Sequence, residues 1–342
     1  AIVYGFIYPD LERVKKVFWP ALVYMSLIAM LFLWSIVIWL MDFSAISTMI
    51  RACSKMMFQS ISIIAAVSGV FLLGSKTIDL FAIAVCLANA GIMVLEIPTF
   101  GLSASIQSLM RCLLTFGEAE GYARNLEIHD LTFVFGQLVL YYATFAPHDT
   151  KQEKRRRWRM LAACTFFFFV GMKRIAIPAV VLFIFVALIV RCFKNKKKLI
   201  IVWGVAWVVF FFLYIYAVRS GLVSKLLHIT GIDMMGRDYL WSLANDYYDL
   251  SITYVGHGFE YVDTIVTEWY NSGIINHPYP FHNDILKVFV EMGFPGFVFW
   301  TGIQYIITPI FWMHYADEDT ALLYLSNLSY ICLLYTSPSP RD

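Results

Sequence analysis

Charge is scarce in this sequence. Asp, Glu, Lys and Arg together make up 15% of 342 residues, where soluble domains carry about a quarter, and the shortage excludes an ordinary water-soluble globule. A basic excess is missing too. The formal net charge is +2, so the balance gives no reason to expect a nucleic-acid partner. Cysteine is present without pattern: Cys53, Cys86, Cys112, Cys164, Cys192 and Cys332 form no C-x-x-C pair and no metal spacing. Most lie in or beside apolar runs and read as small packing residues. His257, His277, His282, Asp263 and Asp284 could gather in space, yet no two of these histidines stand at the i, i+4 spacing of a helical zinc site. Neither a metal nor a cofactor is therefore expected. Internal repeats and a separate soluble domain are also lacking.

What is abundant is apolar. Hydrophobic residues make 60% of the chain and aromatics 17%, with a mean hydropathy of +0.69. Such a composition suits a helix bundle with interfacial Trp and Tyr belts. A helix needs about 20 apolar residues to cross about 30 Å of hydrocarbon. Apolar runs cover 19–41, 57–73, 78–95, 131–146, 161–172, 175–190, 199–218 and 285–313, and another begins at 321–331. The fold class predicted is all-α: a polytopic transmembrane helix bundle within residues 1–331. Residue 1 is Ala, so the natural start is expected to precede it. Residues 332–342, CLLYTSPSPRD, resemble one reading frame of a transposase adapter used in sequencing libraries, and they are set aside as an expected adapter translation that truncates the chain.

Basic loops orient the spans. Lys151, Lys154, Arg155, Arg156, Arg157 and Arg159 form one, and Lys194, Lys196, Lys197 and Lys198 another. The positive-inside rule places both in the cytoplasm. An even number of crossings must separate them, so 161–190 reads as a hairpin of two short helices with Lys173-Arg174 at its outer tip. Arg13, Lys15 and Lys16 put the first span's start inside. Two long segments then fall outside: 96–130, and a polar loop of about 219–284. Arg51 and Lys55 also fall outside, against the rule.

The long loop carries three pieces in order: Gly236-Arg237 with Trp241 four residues on, Gly256-His257-Gly258-Phe259, and His282-Asn283-Asp284. Glu291, Gly293 and Gly296 follow inside the next span. The order G-R-x-x-x-W, G-x-G-F, H-N-D-x-L-x-x-x-x-E-x-G-x-x-G resembles the signature region of bacterial O-antigen polymerases and ligases. Gly171-Met172-Lys173-Arg174 resembles that family's short hairpin with an outer arginine, although many relatives have a small residue where Lys173 stands. Residues 126–133 resemble a variant found in capsule and exopolysaccharide polymerases. The resemblance covers roughly residues 127–312.

The resemblance implies a metal-independent, inverting glycosyltransferase in the bacterial inner membrane. An acceptor hydroxyl would attack the anomeric carbon of a glycan carried on undecaprenyl diphosphate, and the lipid diphosphate would leave. Partners implied are the lipid-linked donor and acceptor, the lipid bilayer, and a flippase and chain-length regulator; nucleic acid is not among them. Arginine suits a departing diphosphate, since its planar fork keeps its charge. Arg174, Arg237 and His282 are the expected catalytic residues, with Lys173, His277, Asn283 and Glu291 binding substrate. His282 could accept the hydroxyl proton or, protonated, hold the diphosphate. Plainer roles compete: an arginine as headgroup anchor, His282 as a helix-boundary residue, Gly293 and Gly296 as kink and packing residues. Glu291 lies deep enough in a span to require a partner or a cavity. A ligase moving a finished glycan is the nearest alternative to a polymerase. A transporter or flippase of lipid-linked sugars is the non-enzymatic one, disfavoured because polarity is concentrated in one loop.

Overall fold

A computed structural model describes residues 11–41, 46–114, 129–171, 176–229, 236–277 and 280–335. No strand occurs among them. The described residues divide into two units, one within 11–75 and 202–310, the other within 76–201 and 311–335. The protein is an all-α, polytopic membrane bundle.

Its helices are α1 (Leu11–Met41), α2 (Ile46–Leu73), α3 (Thr77–Phe100), α4 (Leu102–Leu114), α5 (His129–Thr144), α6 (Lys151–Val170) and α7 (Ala176–Cys192). They continue as α8 (Lys196–Arg219), α9 (Leu222–Ile229), α10 (Arg237–Ala244), α11 (Tyr261–Asn271), α12 (Asp284–Gly302), α13 (Thr308–Tyr315) and α14 (Glu318–Tyr335). Val14–Met41, Thr48–Phe100, Lys196–Arg219 and Asp284–Tyr315 are apolar and long enough to cross a bilayer. Leu33 and Leu40 on α1, and Met57 and Phe58 on α2, are well exposed, as side chains facing lipid would be.

In the first unit, α8 packs against α12 through aromatics. Phe212 meets Phe294 and Phe297, and Trp207 and Phe211 meet Tyr305. A π-helical turn, Ile303–Ile307, links α12 to α13; Pro309 has no N–H for the Tyr305 carbonyl four residues earlier, and such a loss loosens the regular ladder.

In the second unit, α5 is the central helix, packed on α6 and α7, while α14 lies on α7. Gly136 makes room for the Tyr330 ring and Gly171 for Thr132. One end of this unit collects the basic residues. Arg157 donates from Nε to the Tyr142 carbonyl (2.6 Å) and from its second amino group to that of Ala143. Arg191 donates to the Thr144 carbonyl and pairs with Asp319 at 2.9 Å. Together they satisfy carbonyls that end α5 without an intrahelical partner. Arg156 and the Tyr142 hydroxyl both reach Asp79, at 3.1 and 2.7 Å.

Three details differ from expectation. The first basic cluster is on a helix rather than in a loop, because Thr150 and Glu153 form a reciprocal capping box that starts α6 at Lys151. The 161–172 run is therefore the second half of a helix of ordinary spanning length. The expected outer segment 96–130 begins within α3 and then holds α4, entered through Gly101 at φ 83°. The expected hairpin tip, Lys173-Arg174, lies outside the described residues, as do 115–128 between α4 and α5.

Candidate functional site

The site belongs to the first unit and is built on a break in α12. Gly293 has φ 64° and ψ −174°, which interrupts the helix between Met292 and Phe294, and such a backbone suits glycine alone. The sequence around it frees carbonyls in turn. Pro295 has no N–H to offer the Glu291 carbonyl, which instead accepts the His257 and Gly258 amides at 3.1 and 2.7 Å. The Phe294 amide turns to the Tyr254 carbonyl (2.7 Å), and the Val290 carbonyl takes the Tyr254 hydroxyl (2.7 Å). The Met292 carbonyl accepts Trp34 Nε1 of α1 at 2.8 Å. Gly256 and Gly293 pass backbone to backbone: a Cβ on either would collide with main-chain atoms of the other's segment. The two glycine motifs of the sequence are thus the two halves of one junction.

That junction sets the loop. Phe259 donates its amide to Ser35 Oγ on α1 (3.1 Å). His257 stacks on Tyr261 with centroids 4.1 Å apart, and its Nε2 meets the Tyr247 carbonyl at 2.8 Å. Glu260, at φ 72°, begins α11.

Arg237 is the first residue of α10, entered through Gly236 at φ 80°, and is 5% exposed. A cation at a helix N-terminus opposes the macrodipole, so burial there is not explained by the helix itself. One turn on, Trp241 Nε1 donates to the Phe281 carbonyl at 3.1 Å. This bond fastens α10 to the residue preceding His282. His282 is half-buried with φ 50°. Glu260 and His282 are the only non-glycine residues of positive φ among those described, a strain that surrounding structure must hold in place. Asn283, fully buried, caps α12 by accepting the Leu286 amide at 3.1 Å.

Beneath the loop is a cluster of charge. Asp263 Oδ2 takes Lys55 Nζ at 2.8 Å and Lys287 Nζ at 3.0 Å. Glu260 gives one oxygen to each lysine, Oε2 to Lys55 at 2.7 Å and Oε1 to Lys287 at 3.6 Å. Glu291, 1% exposed, accepts the Val262 amide at 3.1 Å and lies 4.0 Å from Lys287. Burial alone would raise the Asp263 carboxyl, but Lys287 and Lys55 hold it down at about 2.

The structure therefore ties α10, which begins at Arg237, to the residue before His282, and sets Asn283 at the start of α12 with Glu291 about two turns into it, while His277 stands exposed beyond α11. Lys173 and Arg174 fall outside the described residues. Asn283 Oδ1 and Glu291 Oε1 accept backbone amides, while Asn283 Nδ2 and Glu291 Oε2 are buried and take no part in those bonds. Sequence reasoning missed Glu260 and Lys287, weighed Asp263 only as a metal ligand, and saw Lys55 only as an exception to the charge rule. The clue was Lys55, an apparent exception to the charge rule whose partners lie more than 200 residues away.

No curated protein and no solved structure matches the chain. A family model described as O-antigen ligase matches residues 160–301, a segment that includes α10, α11, the glycine junction and His282. Over that segment this multi-pass membrane protein is similar to the O-antigen ligase family.

Proposed function

We propose that the protein joins undecaprenyl-diphosphate-linked oligosaccharide units into a polysaccharide at the outer face of the bacterial cytoplasmic membrane. The observation that carries this reading is the coupling of buried Arg237, through Trp241 and the Phe281 carbonyl, to a strained His282. An acceptor hydroxyl oxygen attacks the anomeric carbon, and the bond from that carbon to the diphosphate oxygen breaks. The electron pair leaves with the lipid diphosphate, whose growing charge Arg237 meets with a fixed fork of donors. His282 takes the hydroxyl proton; the chemistry equally allows a protonated His282 to hold the diphosphate. Attack from the face opposite the leaving group inverts the anomeric centre. Arg174 joins this reading from the sequence, as a second cation for the diphosphate, with Lys173 beside it and His277 contacting the glycan. Asn283 and Glu291 position the turn. The donor and acceptor glycans and the bilayer are the partners needed, and a flippase and chain-length regulator would serve the same pathway.

The family's description favours a second reading, transfer of a finished glycan to a different acceptor. Both are tested with purified protein in nanodiscs and a lipid-diphosphate glycan. Polymerisation yields a ladder from donor alone, whereas ligation requires an added acceptor lipid. His282→Ala should lower either activity by about 100-fold or more, the range of general acid–base groups. His282→Gln separates the roles: inactivity matches a titrating or cationic histidine, and retained activity matches positioning. Wild-type turnover in both Arg237→Ala and His282→Ala would defeat the proposal.

A further inference from the structure

We propose that Lys55 is a positioning residue for the transfer site, acting through Asp263 and Glu260 to hold the loop turn in its strained form. This inference rests on the function proposed above and reaches outside the family segment, since Lys55 lies on α2 and the match covers residues 160–301. Three observations carry it.

First, the contacts form a crossed clamp rather than a simple pair. Asp263 is shared by both lysines, and Glu260 divides its two oxygens between them. Lys55 thus ties α2 to the start of α11, and Lys287 ties the start of α11 to the first turns of α12. Second, a neutral contact runs parallel to it. Thr48, seven residues before Lys55 and so on the same face of α2, lies 3.1 Å from the Thr264 hydroxyl on α11. The helix face is therefore matched to α11 over two turns. Third, the two strained residues sit at the ends of this clamp. Glu260 is itself a member, with φ 72°. His282, with φ 50°, immediately precedes Asn283, whose carbonyl accepts the Lys287 amide at 2.8 Å. A left-handed backbone at a residue with a side chain relaxes unless neighbours over-determine it, and an ionic tie of this kind supplies that restraint. Lys55 is about half exposed while Glu260 is 1% exposed. Removing the lysine leaves a buried carboxylate with one distant cation, which is the costly half of a broken buried pair.

The test uses the full chain in nanodiscs. Amide hydrogen exchange over residues 261–271 and glycan transfer are measured for wild type, Lys55→Met and Lys55→Arg. Exchange in this helix should quicken at least about tenfold in Lys55→Met, as local opening becomes easier, and stay near wild type in Lys55→Arg. Transfer by Lys55→Met should fall in kcat with the donor KM unchanged, and Lys55→Arg should recover it. Wild-type exchange in Lys55→Met overturns the proposal, and so does faster exchange with an undiminished kcat. If Lys55→Met does not accumulate, Lys55→Gln takes its place and must show the same quickened exchange and lowered kcat; wild-type values of both in Lys55→Gln overturn the proposal. The underlying site assignment fails separately, by normal transfer in Arg237→Ala and His282→Ala; the exchange result then judges the clamp alone.

Discussion

In the first unit two lysines share two carboxylates beside the candidate site, and in the second two arginines cap the end of a helix. Lys55 and Lys287 converge on Glu260 and Asp263, whereas Arg157 and Arg191 donate to the last carbonyls of α5. The difference is one of purpose. Carbonyls at a helix end need donors wherever the helix stops, and arginines there finish the fold and anchor that end. Acids placed beside a loop turn, with left-handed Glu260 and His282 at its edges, hold a shape that the backbone would otherwise leave. The capping of helix-end carbonyls repeats a rule written in local sequence, and the carboxylate cluster lies beside the candidate site.

The largest effect is expected at the glycine junction. Gly293→Ala should place a side chain against Val255 and Gly256 and add backbone strain of about 1–3 kcal/mol. No properly assembled protein should survive detergent extraction and size-exclusion chromatography. Gly91→Ala, with open space around it, should behave as wild type.

Accessibility of single cysteines sharpens the contrast next. If the arginine end is cytoplasmic and the carboxylate end is outside, Asn271→Cys reacts with a membrane-impermeant maleimide in intact cells, and Arg155→Cys only after permeabilisation. The opposite pattern would reverse the orientation.

A smaller effect is expected from Arg157→Ala. Two carbonyls lose their donor, at roughly 1–3 kcal/mol for each group left unsatisfied and less where water reaches it. The melting temperature should drop by several degrees while kcat of the remaining folded protein stays unchanged. A lost kcat with unchanged melting would contradict the division of roles.

Smallest is the response to acid. The Asp263 carboxyl lies at about 2 against an ordinary 3.8. A depressed carboxyl contributes its full stabilisation above 3.8 and loses it as pH falls toward 2. Protection factors over residues 261–271, with the intrinsic pH dependence of amide exchange divided out, should stay flat from pH 7 to about 5 and fall below about 4, and Asp263→Asn should remove that fall. A fall already complete at pH 6 would exclude Asp263 as its cause.

Much of the bundle was legible because lipid imposes a long apolar run on each span. α1, α8 and α12 follow directly from 19–41, 199–218 and 285–313. The kink was legible too, since Gly293 and Pro295 each disturb a helix locally. The α6 start was missed because the Arg-rich stretch looked like a loop, although the Thr150–Glu153 spacing of a capping box was present. Motif order pointed to Arg237 and His282 as candidates, and the Trp241 bond to Phe281 between their segments could not be read from it. Lys55 was out of reach for a different reason. Nothing near it in sequence pairs with it, and a contact to Asp263 depends on how α2 and α11 meet in three dimensions.

The central claim is that buried Arg237 and strained His282 receive a lipid diphosphate. The direct measurement is binding of undecaprenyl diphosphate, the leaving product, to nanodisc-embedded wild type, Arg237→Ala and His282→Ala. The account predicts that Kd rises at least about tenfold in Arg237→Ala, equivalent to about 1.4 kcal/mol, with transfer lost in parallel. Unchanged product affinity in Arg237→Ala together with wild-type transfer would contradict it.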